Sequence, residues 1–125
     1  MILQIIGTKE QLFITNVYGP HTVHACLAWL NHLTSFLQPL DHKYQLLAGD
    51  FNMILNLGEK WGGLRRLYSD SQAFQNMIDD LGFIDSPTKN DIHTWNNRRG
   101  GEYQITSRLD RFLLSKELFL SSLET

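Results

Sequence analysis

The chain has a single cysteine, Cys26, among its 125 residues. One thiol excludes an internal disulfide and a cysteine-built zinc cluster. Its scarcity fits a reducing compartment. There is no apolar run approaching the roughly 20 residues of a membrane-spanning helix. The opening residues 1–13 carry neither a basic leader nor a long apolar stretch, so they do not read as a signal peptide. Neither sign of charge dominates: 11 Lys and Arg stand against 13 Asp and Glu, a net −2. Composition therefore does not indicate a strongly basic nucleic-acid binder, although local basic segments leave that function open. The five histidines, His21, His24, His32, His42 and His93, lack HExxH or any paired metal-ligand spacing. There is no internal repeat and no low-complexity tract.

What is present is enough apolar content, 42%, to pack a core within one domain or part of a larger one. Ile2 to Ile6, a turn-like Gly7 to Gln11, and the alternating Leu12 to Tyr18 read as a β-hairpin. Gly19-Pro20 breaks it. Val23, Leu27, Leu30 and Leu37 then recur at helical spacing, with Cys26 as a small core residue, His24 and His32 on the surface, Thr22 as a cap and Pro39 beyond the end. Tyr44 to Ala48 returns to strand character. Residues 53–69 read as a long glycine-containing loop, and loops of that length are often functional. Phe74, Met77, Ile78 and Leu81 mark a second helix, with Ser69 and Gln72 as a capping box and Gly82 as its C-terminal cap. Short extended pieces follow at Phe83 to Asp85, Ile92 to Trp95, 103–106 and 108–114, with a turn at 96–102. This mixture of strands and helices predicts a layered α/β protein.

Four stretches could carry chemistry. In "LLAGDFN" (Leu46 to Asn52) an apolar strand ends by presenting Asp50 and Asn52 two residues apart, on one side of an extended backbone. Strand ends are where α/β sheets place their sites, yet Asx residues also simply close strands. Tyr18, before Gly19-Pro20, can donate to a developing oxyanion or serve as packing with a wet tip. Asp110, in "SRLDRFLLS", alternates with Phe112 and Leu114. A carboxylate on an apolar face must be paired, so it either bridges to Arg108 or Arg111 or orients a catalytic histidine. Finally Arg98, Arg99, Arg108 and Arg111 interleave with Trp95 and Tyr103. Such a hairpin suits phosphate contact and base stacking, or is an ordinary charged turn. Lys60, Arg65 and Arg66 form a weaker basic cluster.

In order along the chain, "NVYGP" (Asn16 to Pro20), "GDFN" (Gly49 to Asn52), "HTWNN" (His93 to Asn97) and "RLDRFLLS" (Arg108 to Ser115) resemble the endonuclease/exonuclease/phosphatase superfamily, which includes apurinic endonucleases and deoxyribonuclease I. "GEKWGG" (Gly58 to Gly63) and "QAFQNMIDDLGFIDSP" (Gln72 to Pro87) make the resemblance closest to the endonuclease domains of LINE-type non-LTR retrotransposons of plants. The resemblance implies a four-layer α/β sandwich, two mixed sheets flanked by helices, and Mg2+-dependent phosphodiester or phosphomonoester hydrolysis. By resemblance Asp50 would orient or deprotonate the attacking water, and Asn52 would hold a phosphate oxygen or the metal environment. Tyr18 would stabilise the transition state, and Asp110 would orient the catalytic histidine. Trp95, Asn97, Arg98, Arg99 and Arg108 would line the DNA-binding edge. A reverse transcriptase domain on the same polypeptide and a nuclear location are implied in the same way.

The family pattern also includes an asparagine and a metal-binding glutamate upstream of "NVYGP", and a Ser-Asp-His motif downstream of "RLDRFLLS". Neither is visible in residues 1–125, and His21 stands where many relatives carry asparagine. The expectation is an incomplete domain, inactive on its own. The alternatives are a non-catalytic remnant or binding module, and a phosphatase of the same superfamily.

Overall fold

The computed structural model describes residues 2–4, 11–40, 43–63, 67–86, 95–98 and 106–123. Residues 7–10 of the expected Gly7 to Gln11 turn, the basic residues Arg65 and Arg66, residues 92–94 of the "IHTW" strand, and Arg99 and Tyr103 lie outside them, while Gln11 opens a strand. The chain runs β1 (Ile2–Gln4), β2 (Gln11–Tyr18), α1 (Val23–Leu37), β3 (Tyr44–Asp50), a 3-10 turn (Leu57–Glu59), β4 (Lys60–Trp61), α2 (Ser69–Leu81), β5 (Phe83–Asp85), β6 (Trp95–Asn96), β7 (Thr106–Ser107), β8 (Asp110–Ser115) and α3 (Lys116–Ser122).

Five strands form one mixed sheet in the order β1-β2-β3-β8-β5, and β4-β7-β6 form a small antiparallel sheet. β2 and β3 are parallel, joined through α1, while β8 runs antiparallel to β3. α1 and α2 cover one face of the large sheet. Cys26, Leu30, Leu33 and Leu37 of α1 and Phe74, Met77 and Ile78 of α2 share a buried cluster with Val17, Leu47, Leu113 and Phe83. Phe51 and Phe74 stack at its centre, ring centroids 5.0 Å apart, and Trp29 meets Phe51 edge to face.

Local chemistry sets most element ends. Thr22 Oγ1 accepts a hydrogen bond from the Ala25 N–H and caps α1. Gly82, at φ 74°, closes α2 in the left-handed conformation that glycine adopts without strain. The expected capping box does not form. α2 starts one residue earlier, so Tyr68 is its N-cap and no side-chain cap bond is made. Gln72 instead bonds Asn76 one turn on. The long loop is also more ordered than expected, since it contains the 3-10 turn and β4.

The largest correction concerns β8. Its Asp110, Phe112 and Leu114 alternate, but that face does not enter the core: Phe112 is 56% exposed and Asp110 is exposed. Arg111 and Leu113 point inward instead, at 2% and 0% exposure. The reason is an ionic cluster. Arg111 bonds Glu59 (Nη2–Oε1, 2.8 Å) and Asp85 (Nη1–Oδ2, 2.9 Å), and Arg108 bonds the same two carboxylates at 3.0 and 2.8 Å. The Arg111 guanidinium also lies 5.3 Å from the centre of the Phe74 ring. Opposite charges and an aromatic face make an arginine a core residue here.

Candidate active site

The pairing register brings three of the sequence candidates into one row. Tyr18 of β2 lies opposite Asp50 of β3, and Asp50 lies opposite Asp110 of β8. Residues directly opposite on neighbouring strands share a sheet face, with Cβ atoms about 5 Å apart. The row therefore places a phenol and two carboxylates side by side. It sits where parallel β2 and β3 both end, the carboxyl edge at which α/β sheets place ligands. α1 and α2 occupy the opposite face.

Two glycines hold the row in place. A Cβ on Gly49 would collide with the Val17 carbonyl, and one on Gly19 would collide with the Phe51 carbonyl. Gly49 itself has φ 140°, a conformation that a side chain would strain. Glycine at both positions lets the ends of β2 and β3 close on each other. The Gly19 N–H then donates to the Asp50 carbonyl at 2.7 Å, and the Phe51 N–H to Leu109 of the β7–β8 connection at 2.9 Å.

Asn52 completes the turn. Its backbone N–H donates to Asp50 Oδ1 at 2.8 Å, and its Nδ2 donates to the Gly19 carbonyl. Its own φ is 54°, in the left-handed region that asparagine tolerates better than most residues. One carboxylate oxygen of Asp50 is thus anchored by the turn. Asn52 also lines a groove of about 220 Å³ with His21, Val23, Lys60, Tyr68, Asp70, Ser71, Ser107 and Leu109.

The remaining candidates separate. Trp95 lies in β6 opposite Ser107, Asn97 is half-buried, and Arg98 is exposed with φ 61°. Arg108 leaves the expected DNA-binding edge: it is 7% exposed, and its guanidinium is taken by Glu59, Asp85 and the Ser86 carbonyl. Nor do Arg108 and Arg111 make the bridge to Asp110 that the sequence suggested; their ion pairs go to Glu59 and Asp85. Sequence reasoning noted His21 as a departure from the family asparagine but gave it no role; its ring approaches Tyr18, with Nε2 3.4 Å from Oη. Sequence reasoning missed Glu59, the acid of "GEKWGG", which the loop delivers to both arginines. Among the described residues, no three His, Cys, Asp or Glu side chains converge as a metal cluster, and no helix is long and apolar enough to cross a membrane.

With this geometry, the fold is an α/β fold of the endonuclease/exonuclease/phosphatase, deoxyribonuclease I-like type. The endonuclease domain of TRAS1, a telomere-specific non-LTR retrotransposon, matches with a TM-score of 0.59 at 13% identity, over 94% of this chain and 51% of that one. The 3'-5' exonuclease NExo from Neisseria meningitidis matches with a TM-score of 0.61 at 20% identity, over 91% of this chain and 51% of its own. NExo described as a 3' phosphatase and bound to product DNA hairpin gives 0.62 at 18%, over 92% and 51%. No family model and no curated protein matches the chain. At these identities the likeness establishes the fold, and the chain spans about half the length of the structures it resembles.

Proposed function

We propose that this chain is part of a metal-dependent phosphodiester hydrolase domain, the DNA endonuclease of a LINE-type retrotransposon. The observation that carries the reading is the row Tyr18–Asp50–Asp110 on one sheet face, with Asn52 anchoring Asp50. Asp50 takes the proton of the attacking water, and Tyr18 donates to the leaving oxygen as charge develops on it. Asp110 holds the general-acid/base histidine supplied by the rest of the domain. The two carboxylates are hard oxygen donors on adjacent strands. They fit Mg2+, which commonly takes one or two protein carboxylates beside substrate phosphate and water. When bound, the ion would neutralise charge on the phosphate and the leaving oxygen.

DNA as substrate is supported by the fold neighbours, a retrotransposon endonuclease and an exonuclease seen with a DNA hairpin. Asn97 and the exposed Arg98, with Trp95 and Arg99, form the DNA edge in this reading; Arg108 does not. The remaining half of the domain supplies the metal-binding glutamate and the histidine, so residues 1–125 alone are inactive. A reverse transcriptase domain shares the complete polypeptide, which works in the nucleus. A second reading, removal of a phosphate from a DNA 3' end, is favoured by one neighbour being described both as an exonuclease and as a 3' phosphatase.

Plasmid nicking tests the proposal in the chain extended by its flanking coding sequence. Nicking is expected with Mg2+ and not with EDTA, and Asp50→Ala should lower it at least about 100-fold. A 3'-phosphorylated hairpin in the same assay separates nicking from phosphate removal. An extended protein that cuts neither substrate would leave the non-catalytic remnant as the reading.

A further inference from the structure

Tyr18 and His21 keep company at the end of β2 although both rings lie in solvent, Tyr18 at 69% exposure. Tyr18 Oη is 3.4 Å from His21 Nε2, and the rings meet edge to face with centroids 6.0 Å apart. Two exposed side chains lose rotamer entropy by pairing, so the backbone beneath them decides whether the pair persists. Here the residues on both sides of His21 are held. Gly19 is locked between Asp50 and Asn52. The Pro20 ring fixes its own φ, and the Pro20 carbonyl accepts from the buried Cys26 thiol at 3.3 Å. Thr22 caps α1. His21 also lines the groove shared with Asn52 and Lys60. The pair thus joins the Tyr18–Asp50–Asp110 row to that groove.

We propose that His21 is the proton partner of Tyr18 in phosphoester cleavage at this site, acting through the phenol and not by touching the substrate. The proposal rests on the hydrolase reading above. The imidazolium of His21 donates Nε2–H to Tyr18 Oη, while the Tyr18 O–H faces the leaving oxygen. As the water oxygen bonds to phosphorus, the bond from phosphorus to the leaving oxygen breaks. The phenol proton passes to that oxygen, and the imidazolium proton replaces it on Tyr18. The proton lost by the water goes to Asp50. Asp50 then releases one proton to solvent and His21 recovers one, so the cycle closes without a co-reactant. Histidine suits this task because its charge changes between about pH 5 and 8. The titratable groups facing it are Tyr18, which its ring meets, and Lys60, Tyr68 and Asp70 in the groove; Asp50 and Asp110 stand in the row beyond Tyr18.

The test is NMR of the imidazole nitrogens in the 15N-labelled chain, titrated from about pH 5 to about pH 8. Wild type, Tyr18→Phe and Asp50→Asn are compared, each alone, with magnesium chloride, and with magnesium chloride plus thymidine 3'-monophosphate. Tyr18→Phe should shift the His21 midpoint and leave His24 and His32 unmoved. The nucleotide should raise the His21 midpoint in wild type, by less once the hydroxyl is gone. A His21 titration identical in wild type and Tyr18→Phe would overturn the proposal, as would a nucleotide response shared equally by His24 and His32. The hydrolase reading has its own readout, since a magnesium response that survives Asp50→Asn counts against that reading while leaving the Tyr18–His21 coupling intact.

Discussion

Arg111 shows how one side chain settles the orientation of a strand. Its guanidinium bonds two carboxylates, the Met53 carbonyl and the Arg108 carbonyl. Burial alone would push the Glu59 carboxyl up. The hydrogen bonds and charge of Arg111, aided by Leu55 N–H and Arg108, outweigh it and hold the group below the ordinary carboxylate range. The same balance acts on Arg108, where burial opposes the charge and the Asp85 and Glu59 bonds raise its pKa above the ordinary value. The cluster is not fully satisfied, because Nε of both arginines finds no acceptor among the described residues. Complete apolar replacement of such a cluster is often neutral or stabilising, whereas removing one member strands the others. Arg111→Met should therefore cost about 3–5 kcal/mol in urea unfolding. The pH dependence has a definite sign. Glu59 has a folded pKa below its unfolded 4.5, so its contribution is present above that value and lost as pH falls through the folded value. Glu59→Gln should weaken the fold at neutral pH and flatten the loss of stability below about pH 4.5. An unchanged acid limb would show that Glu59 does not drive acid unfolding.

Whole elements were legible where one local period governs them. α1 follows from Val23, Leu27, Leu30 and Leu37, β3 from the run before Gly49-Asp50, and the end of α2 from Gly82. What local pattern misses is partnership at a distance. Arg108 and Arg111 meet Glu59 from 49 and 52 residues away, so nothing near them marks the polar side of β8 as the buried one. β4 is two residues long and exists only because Lys60 and Trp61 pair with Ser107 and Thr106. α3 followed β8 without a warning signal, since KELFLSS is too short to display a helical period. At the candidate site, motif order nominated Asp50, Asn52, Tyr18 and Asp110. That Tyr18, Asp50 and Asp110 stand in one row required the strand register.

At α2, Asp70 of the first turn favours the positive end of the helix dipole. It is also buried, at 8% exposure. Burial raises its pKa against the hydrogen bonds from the Ser71 N–H and its own, and its charge adds to the burial that pushes the Cys26 thiol up to about 11. A raised carboxylate pKa means that the ionised form is a cost to the fold at neutral pH, one that shrinks as pH falls through the folded value. Asp70→Asn keeps an acceptor for those N–H groups. It should raise the melting temperature at neutral pH by a few degrees, with the gain vanishing in acid. A lower melting temperature at neutral pH would mean that the dipole interaction outweighs burial.

For the molecule as a whole, the large sheet has two unlike faces. One is closed by α1 and α2. The other carries the Tyr18–Asp50–Asp110 row, then Asn16, Ala48 and Phe112, then Ile14, Leu46, Leu114 and Ile84, as the register dictates. Phe112 is more than half exposed there, and its apolar neighbours Ile14, Leu46 and Leu114 are only half-buried. Apolar surface of that kind on a sheet drives association. It also lies on the face that holds the candidate site, so whatever covers it would also wall the site. Two substitutions on adjacent residues of β8 separate the faces. Leu113→Ala, beneath the helices, should cost about 2–5 kcal/mol in thermal or urea unfolding. Phe112→Thr replaces an aromatic strand former with a β-branched one. It should change stability by no more than about 0.5 kcal/mol, as exposed substitutions usually do, while lowering ANS fluorescence and slowing concentration-dependent association. Equal destabilisation by the two substitutions would show that the Phe112 face is covered in solution, and the description of an open, site-bearing sheet face would then be wrong.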